Sequence, residues 1–218
     1  MNKLRIIFTL ILLMVRPLDL LSQNELEGAN HSWGLLITRA KISEKWYVTN
    51  ELHQRNQWFF KDKGQFLLRP SIDYKVADQL EFSLGYSYIR TNPEQPYPLK
   101  VLSSEHNVWQ QALMKFDIGK LHLINRFRQE NRWIDHVEQI NGEYTVQGND
   151  YANRFRYRIT GTFDLFTLQN KEKALFFNTF DELWFNQDSK LRPTSFSRNW
   201  GYLGLGYRMD KQSSFQVG

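Results

Sequence analysis

The chain has 218 residues, 41% of them hydrophobic and 15% aromatic, with a formal net charge of +5 and no cysteine. The missing cysteines exclude disulfides, zinc thiolates and a cysteine nucleophile, and the length allows one ordinary domain or one small barrel. Basic residues alternate with apolar ones instead of forming a patch with stacking aromatics, so nucleic acid is not an expected partner.

Residues 1–22 read as a signal peptide. Lys3 and Arg5 precede an apolar run from Ile6 to Val15, which Arg16 and Pro17 break. Such a run is shorter than the ~20 residues a spanning helix needs, and a basic start before a short apolar core is the pattern of a secretory signal. With no cysteine in this stretch, a lipoprotein anchor is excluded. Cleavage near Ser22–Gln23 leaves residues 23–218 as a single domain with a net charge of +3.

The rest of the chain reads as ten strands at 32–41, 45–56, 64–75, 79–91, 105–118, 120–134, 150–166, 172–187, 196–210 and 212–218. Strict apolar/polar alternation marks a strand with one oily and one polar face. It is clear at 45–56, where Trp46, Val48 and Leu52 oppose Thr49, Glu51, His53 and Arg55. At 64–75, Phe66, Leu68, Ile72 and Tyr74 oppose Gln65, Arg69, Ser71 and Asp73. At 79–91, Leu80, Phe82, Leu84, Tyr86 and Tyr88 oppose Glu81, Ser83, Gly85 and Ser87. Strand 105–118 is mixed. At 120–134, Arg126, Arg128, Glu130 and Arg132 share one parity. At 150–166, Arg154, Arg156 and Arg158 oppose Tyr151, Phe155, Tyr157, Ile159 and Phe163.

Short connections near Ser43, Ala77, Gly119, Asn170 and Lys211 alternate with longer ones near Lys61, 92–102, 135–149 and 188–194. That meander predicts an all-β, antiparallel up-and-down β-barrel of about ten strands. Asn141-Gly142 is a turn signal inside a long loop. Trp58, Phe59, Phe60, Tyr97, Trp133, Tyr151, Trp184 and Trp200 gather at the long-loop ends, as an interfacial girdle would. Ser213 to Gly218 begins a last strand and stops, which reads as a truncated closing strand.

Several local patterns carry a family resemblance. Phe66-Leu67-Leu68-Arg69-Pro70, Gly85-Tyr86-Ser87-Tyr88 and Glu105-His106-Asn107-Val108-Trp109-Gln110-Gln111 are followed by Arg126-Phe127-Arg128-Gln129-Glu130. Arg154-Phe155-Arg156-Tyr157-Arg158, Phe180-Asp181-Glu182-Leu183-Trp184 and Gly204-Leu205-Gly206-Tyr207 complete the set. In this order they resemble the bacterial family catalogued as domain of unknown function 2490. The resemblance implies a secreted, outer-membrane β-barrel and implies no activity.

The candidate site is a charge network on the polar parity: Glu51, His53, Arg55, Arg69, Asp73, Glu81, Arg126, Arg128, Glu130, Arg132, Arg154, Arg156, Arg158 and Glu182. At a lipid-facing midplane position each arginine would cost about 2–4 kcal/mol, so this parity is expected to face the barrel interior. Its eight arginines outnumber its five acids. Such an interior is either a plug of paired charges or a cationic passage for an anionic solute. Outer-membrane lipid is the expected partner of the other face.

Two further readings stay open. One is an envelope lipid-modifying barrel enzyme using Glu51, His53 or Glu182, although no nucleophile accompanies them. Asn30-His31-Ser32 brings hydrolase residue types together, but neighbours on a strand face opposite ways. The other is a periplasmic soluble barrel with the apolar face turned inward around an anionic amphiphile, since alternation is symmetric between inside and outside. The scattered histidines show no metal-ligand spacing, and neither metal nor cofactor is expected.

Overall fold

A computed structural model describes residues 31–57, 62–93, 100–168, 173–187, 195–210 and 212–218. Residues 1–22, read above as a signal peptide, and Asn30, Trp58, Phe59, Phe60 and Tyr97 lie outside the described residues. The strands are β1 (His31–Lys41), β2 (Trp46–Gln57), β3 (Asp62–Ala77), β4 (Leu80–Thr91) and β5 (Ser103–Ile118). They continue as β6 (Leu121–Ile140), β7 (Glu143–Leu168), β8 (Lys173–Asn186), β9 (Ser195–Arg208) and β10 (Ser214–Val217). Every sequential neighbour pairs antiparallel, giving a single up-and-down sheet in the order β1 to β10. This is the predicted barrel-type meander, with ends within a few residues of those read from alternation except at the end of β6 and the start of β7.

The sheet is strongly curled. β1 and β9 are eight strand spacings apart, about 38 Å on a flat sheet, yet the rings of Trp33 on β1 and Trp200 on β9 stand 5.2 Å apart. Both belong to the charged parity, because Trp33 pairs with Arg55 and Trp200 with Glu182. Arg39 on β1 likewise reaches Glu81 on β4 at 2.9 Å. The charged face is therefore the concave one. No ladder joins β10 to β1 among the described residues.

Alternation sorts the two faces. Arg128, Glu130 and Glu182 are 0–1% exposed, whereas Ile72, Leu84 and Leu203 are 55–67% exposed. Of the two arrangements that alternation permits, the chain adopts the one with charges sealed and apolar side chains outside. A depression of about 690 Å³ on that outer face is lined by Trp46, Ile72, Tyr74, Phe82 and Phe127 among others.

Glycine on the concave face makes room for aromatic side chains. A Cβ on Gly85 would lie 2.1 Å from the Trp109 ring, and one on Gly206 would lie 2.2 Å from Phe176. In each case the ring on the neighbouring strand covers the glycine, as cross-strand aromatic rescue does.

One expected loop is a strand pair. β6 leaves β5 at Ile134 and β7 leaves β8 at Arg154, but β6 and β7 go on pairing to Ile140 and Glu143. Asn141 and Gly142 have φ of 53° and 89°, which a two-residue type I′ turn requires. The span 135–149 is thus a projecting hairpin arm, and the Asn-Gly signal is its turn. At its base His136 bonds Asp150 at 2.6 Å and Glu138 at 3.1 Å.

Candidate functional site

The register of β6 against β7 sets an electrostatic problem. Arg126 lies opposite Arg158, and Arg128 opposite Arg156. Like charges in directly opposed positions repel. Two carboxylates resolve most of this. Glu182, across from Arg158 on β8, accepts from Arg156 at 2.8 Å, from Arg158 at 2.6 Å and from Arg126. Glu130 accepts from Arg154 at 2.5 Å and from Arg156 at 2.9 Å. The result is a continuous ladder, Arg154–Glu130–Arg156–Glu182, with Arg126 and Arg158 closing on Glu182. Charge-assisted hydrogen bonds of this type are the strong class.

The arginines also lie on aromatic faces. Arg154 and Arg156 sit 4.5 and 4.3 Å from the Trp184 ring, Arg158 3.9 Å from Phe180 and Arg128 4.1 Å from Trp109. A ring quadrupole attracts a desolvated guanidinium. Trp184 and Trp200 were expected in an interfacial girdle. They belong instead to the concave face, because their register partners are Arg156 and Glu182. Trp133 and Tyr151 do pair on the outer face, with rings 5.5 Å apart.

A family model described as "Protein of unknown function (DUF2490)" matches residues 30–218. The chain belongs to this family. Comparison with curated proteins and with solved structures finds no match.

In this DUF2490 chain the other predicted residues form smaller groups around the ladder. Glu51 Oε2 takes Arg69 at 3.0 Å and His53 at 3.2 Å. Arg69 Nε donates to Ser87 Oγ, which also receives the Trp109 indole N–H. Arg132 forms a two-pronged bond to Glu105 at 2.6 and 2.7 Å. Three predicted members make these further contacts. Arg55 donates to Gln65 and lies over Trp33. Among the described residues, Asp73 accepts from the hydroxyls of Thr49 and Ser71. Glu81 takes Arg39 and Lys115 at its own end of the sheet.

Glu105, Gln111, Arg39 and the aromatic beds are site residues that alternation did not single out. Glu105 and Gln111 lie on β5, whose mixed pattern hid its facing. Gln111 is identified by its register pairing with Arg128, and Glu105 by the diagonal reach of Arg132, whose own register partner is Asn107.

Two chemical options are narrowed by this geometry. Glu51 and His53 do meet, but among the described residues no hydroxyl bonds His53, so the pair has no nucleophile to activate. Glu182 is sealed and bound to three arginines, which denies it the role of a general base. Among the described residues no group of three His, Asp or Glu could hold a metal ion.

Proposed function

We propose that this DUF2490 chain is an outer-membrane barrel whose arginine-rich interior is a solid electrostatic core, and that its role is structural rather than solute-passing. The carrying observation is the sealing of Arg128, Glu130 and Glu182 at 0–1% exposure at the level where a conduit would have to run. A pore needs a hydrated, weakly bound lining, whereas Glu130 and Glu182 are bound by arginines and Arg128 by Gln111. Support for the lipid contact comes from the outer face, where Leu84, Ile72, Leu203 and Leu205 are more than half exposed. Exposed apolar surface on that scale is costly in water and favourable in hydrocarbon.

The test has two arms. Cell fractionation with gel migration before and after boiling checks the membrane barrel. Membrane association with a boiling-dependent shift is expected, and a soluble, unshifted protein refutes the location. Planar-bilayer recording in phosphate and potassium gradients checks the plug. Absence of discrete conductance is expected, and an anion-selective channel refutes the solid core.

A further inference from the structure

At mid-strand, β8 turns a charged side chain to the outer face. Its outward parity runs Leu175, Phe177, Thr179, Asp181, Leu183 and Phe185, so an acid interrupts an apolar row that continues on both sides of it. Asp181 is exposed and lies opposite Ile159 on β7 and Gly201 on β9. The outward positions at the middle of β3 and β4, among them Ile72, Leu84 and Tyr86, carry no charge.

Asn199 on β9, itself exposed, donates through Nδ2 to Asp181 Oδ1 at 2.5 Å. A carboxylate accepts at both oxygens, and an amide nitrogen donates twice. Among the described residues, Asp181 Oδ2 and the second Nδ2 N–H of Asn199 have no partner. An open acceptor and an open donor therefore stand side by side. The surface beside them is recessed. A Cβ on Gly201 would meet nothing within 4 Å, and Gly161 and Thr179 form the next outward pair along β7 and β8. Leu203, one outward position beyond Gly201, is 67% exposed. With the outer face in lipid, as proposed above, an ionisable group here is costly and calls for a polar partner. Lipid tails offer no donor.

We propose that the Asp181–Asn199 patch is the contact between two copies of this chain in the membrane. A patch with one open acceptor beside one open donor complements itself, which is what a two-fold interface demands. Asp181 of each copy accepts from Asn199 of the other. The bare backbone at Gly201 and Gly161 lets the two sheets approach closely, as small residues do between membrane segments. This pairing rests on the lipid placement proposed above.

The chain contains no cysteine, so one introduced thiol reports one position. Gly201→Cys and, on the outer face of β4, Leu84→Cys are each treated with a diffusible oxidant in isolated membranes and run on non-reducing gels. An unboiled lane reads folding. Leu84 is 57% exposed, so its thiol is open to the same oxidant. Gly201→Cys is expected to give a disulfide-linked dimer, and Leu84→Cys a monomer. Asp181→Leu added to Gly201→Cys should fold and lose most of the dimer. Folded, membrane-inserted Gly201→Cys that stays monomeric overturns the dimer and leaves the lipid placement standing. So does equal dimer from Leu84→Cys, or dimer undiminished by Asp181→Leu. Wild type that fractionates as a soluble protein overturns the lipid placement, and the membrane dimer with it.

Discussion

Glu182→Gln is the sharpest perturbation of the core. The side chain keeps its shape and loses its charge, leaving Arg126, Arg156 and Arg158 around a neutral amide. Removing one partner of a buried ion pair costs about 3–5 kcal/mol. The amide oxygen can still accept hydrogen bonds, each worth about 1 kcal/mol net. Its new N–H groups, however, face guanidinium donors. The expected loss is thus about 3 kcal/mol, near the lower end of the buried-pair range. Urea unfolding in micelles, followed by tryptophan fluorescence, reads the loss as a lower midpoint at unchanged slope. Adding Arg158→Met should restore part of it, because the second change removes one of the uncompensated cations. Coupling of about 0.5–3 kcal/mol between the two sites is expected for contacting residues. A loss below about 1 kcal/mol, or strictly additive effects, would show that Glu182 does not hold the ladder together.

Three other outcomes follow from the same structure. Gly85→Ala drives a Cβ into the Trp109 ring; overpacking costs about 1–3 kcal/mol, and a shifted indole emission with a lower unfolding midpoint checks it. Leu84→Arg on the outer face should cost about 2–4 kcal/mol if that face meets hydrocarbon, and almost nothing if it meets water, so comparing its unfolding in micelles with wild type tests the location directly. The hydrogen bonds from His136 to Asp150 and Glu138 raise the pKa of its imidazole above the ordinary value. A raised folded-state pKa contributes stability fully present below the unfolded value and lost as pH rises through the folded value. The hairpin arm should therefore exchange its amide hydrogens faster, beyond the intrinsic rate increase, as pH climbs through that range, and His136→Ala should abolish the step.

Much of the fold is legible in single residues. Arg154, Arg156 and Arg158 on one parity fix β7 and its facing, and the same logic places Arg69 and Asp73 on β3. Alternation cannot say which charges meet, because contact depends on register. Nothing in the sequence shows that Glu182 takes three arginines while Arg128 donates to the neutral Gln111. The aromatic beds were misread for a physical reason. A tryptophan at a strand end suits both an interface and a guanidinium, and only pairing with Arg156 distinguishes Trp184. The arm was missed because Asp135, Glu138 and Glu143 make 135–149 look like a solvated loop. Val137, Tyr144 and Val146 are nevertheless strand formers flanking an Asn-Gly turn.

The opposition of Arg126 to Arg158 and Arg128 to Arg156 looks like a defect until the alternatives are considered. A slip of one residue along β7 would turn its whole polar set to the outer face. On the proposed membrane placement, three arginines would then enter the apolar band, at roughly 6–12 kcal/mol in lipid. That exceeds the repulsion that Glu130 and Glu182 already offset in the native register. The arginine stripe thus acts against the wrong pairing as well as for the right one. This explains why the charge is arginine-heavy on β6 and β7, where a register error would propagate to the strands on either side. Replacing Arg154, Arg156 and Arg158 together with glutamine should remove that penalty. Folding should then lose its single product, with multiple bands on unboiled gels where wild type gives one. A single band from the triple variant would show that register is set elsewhere, by the turns and the β6–β7 arm.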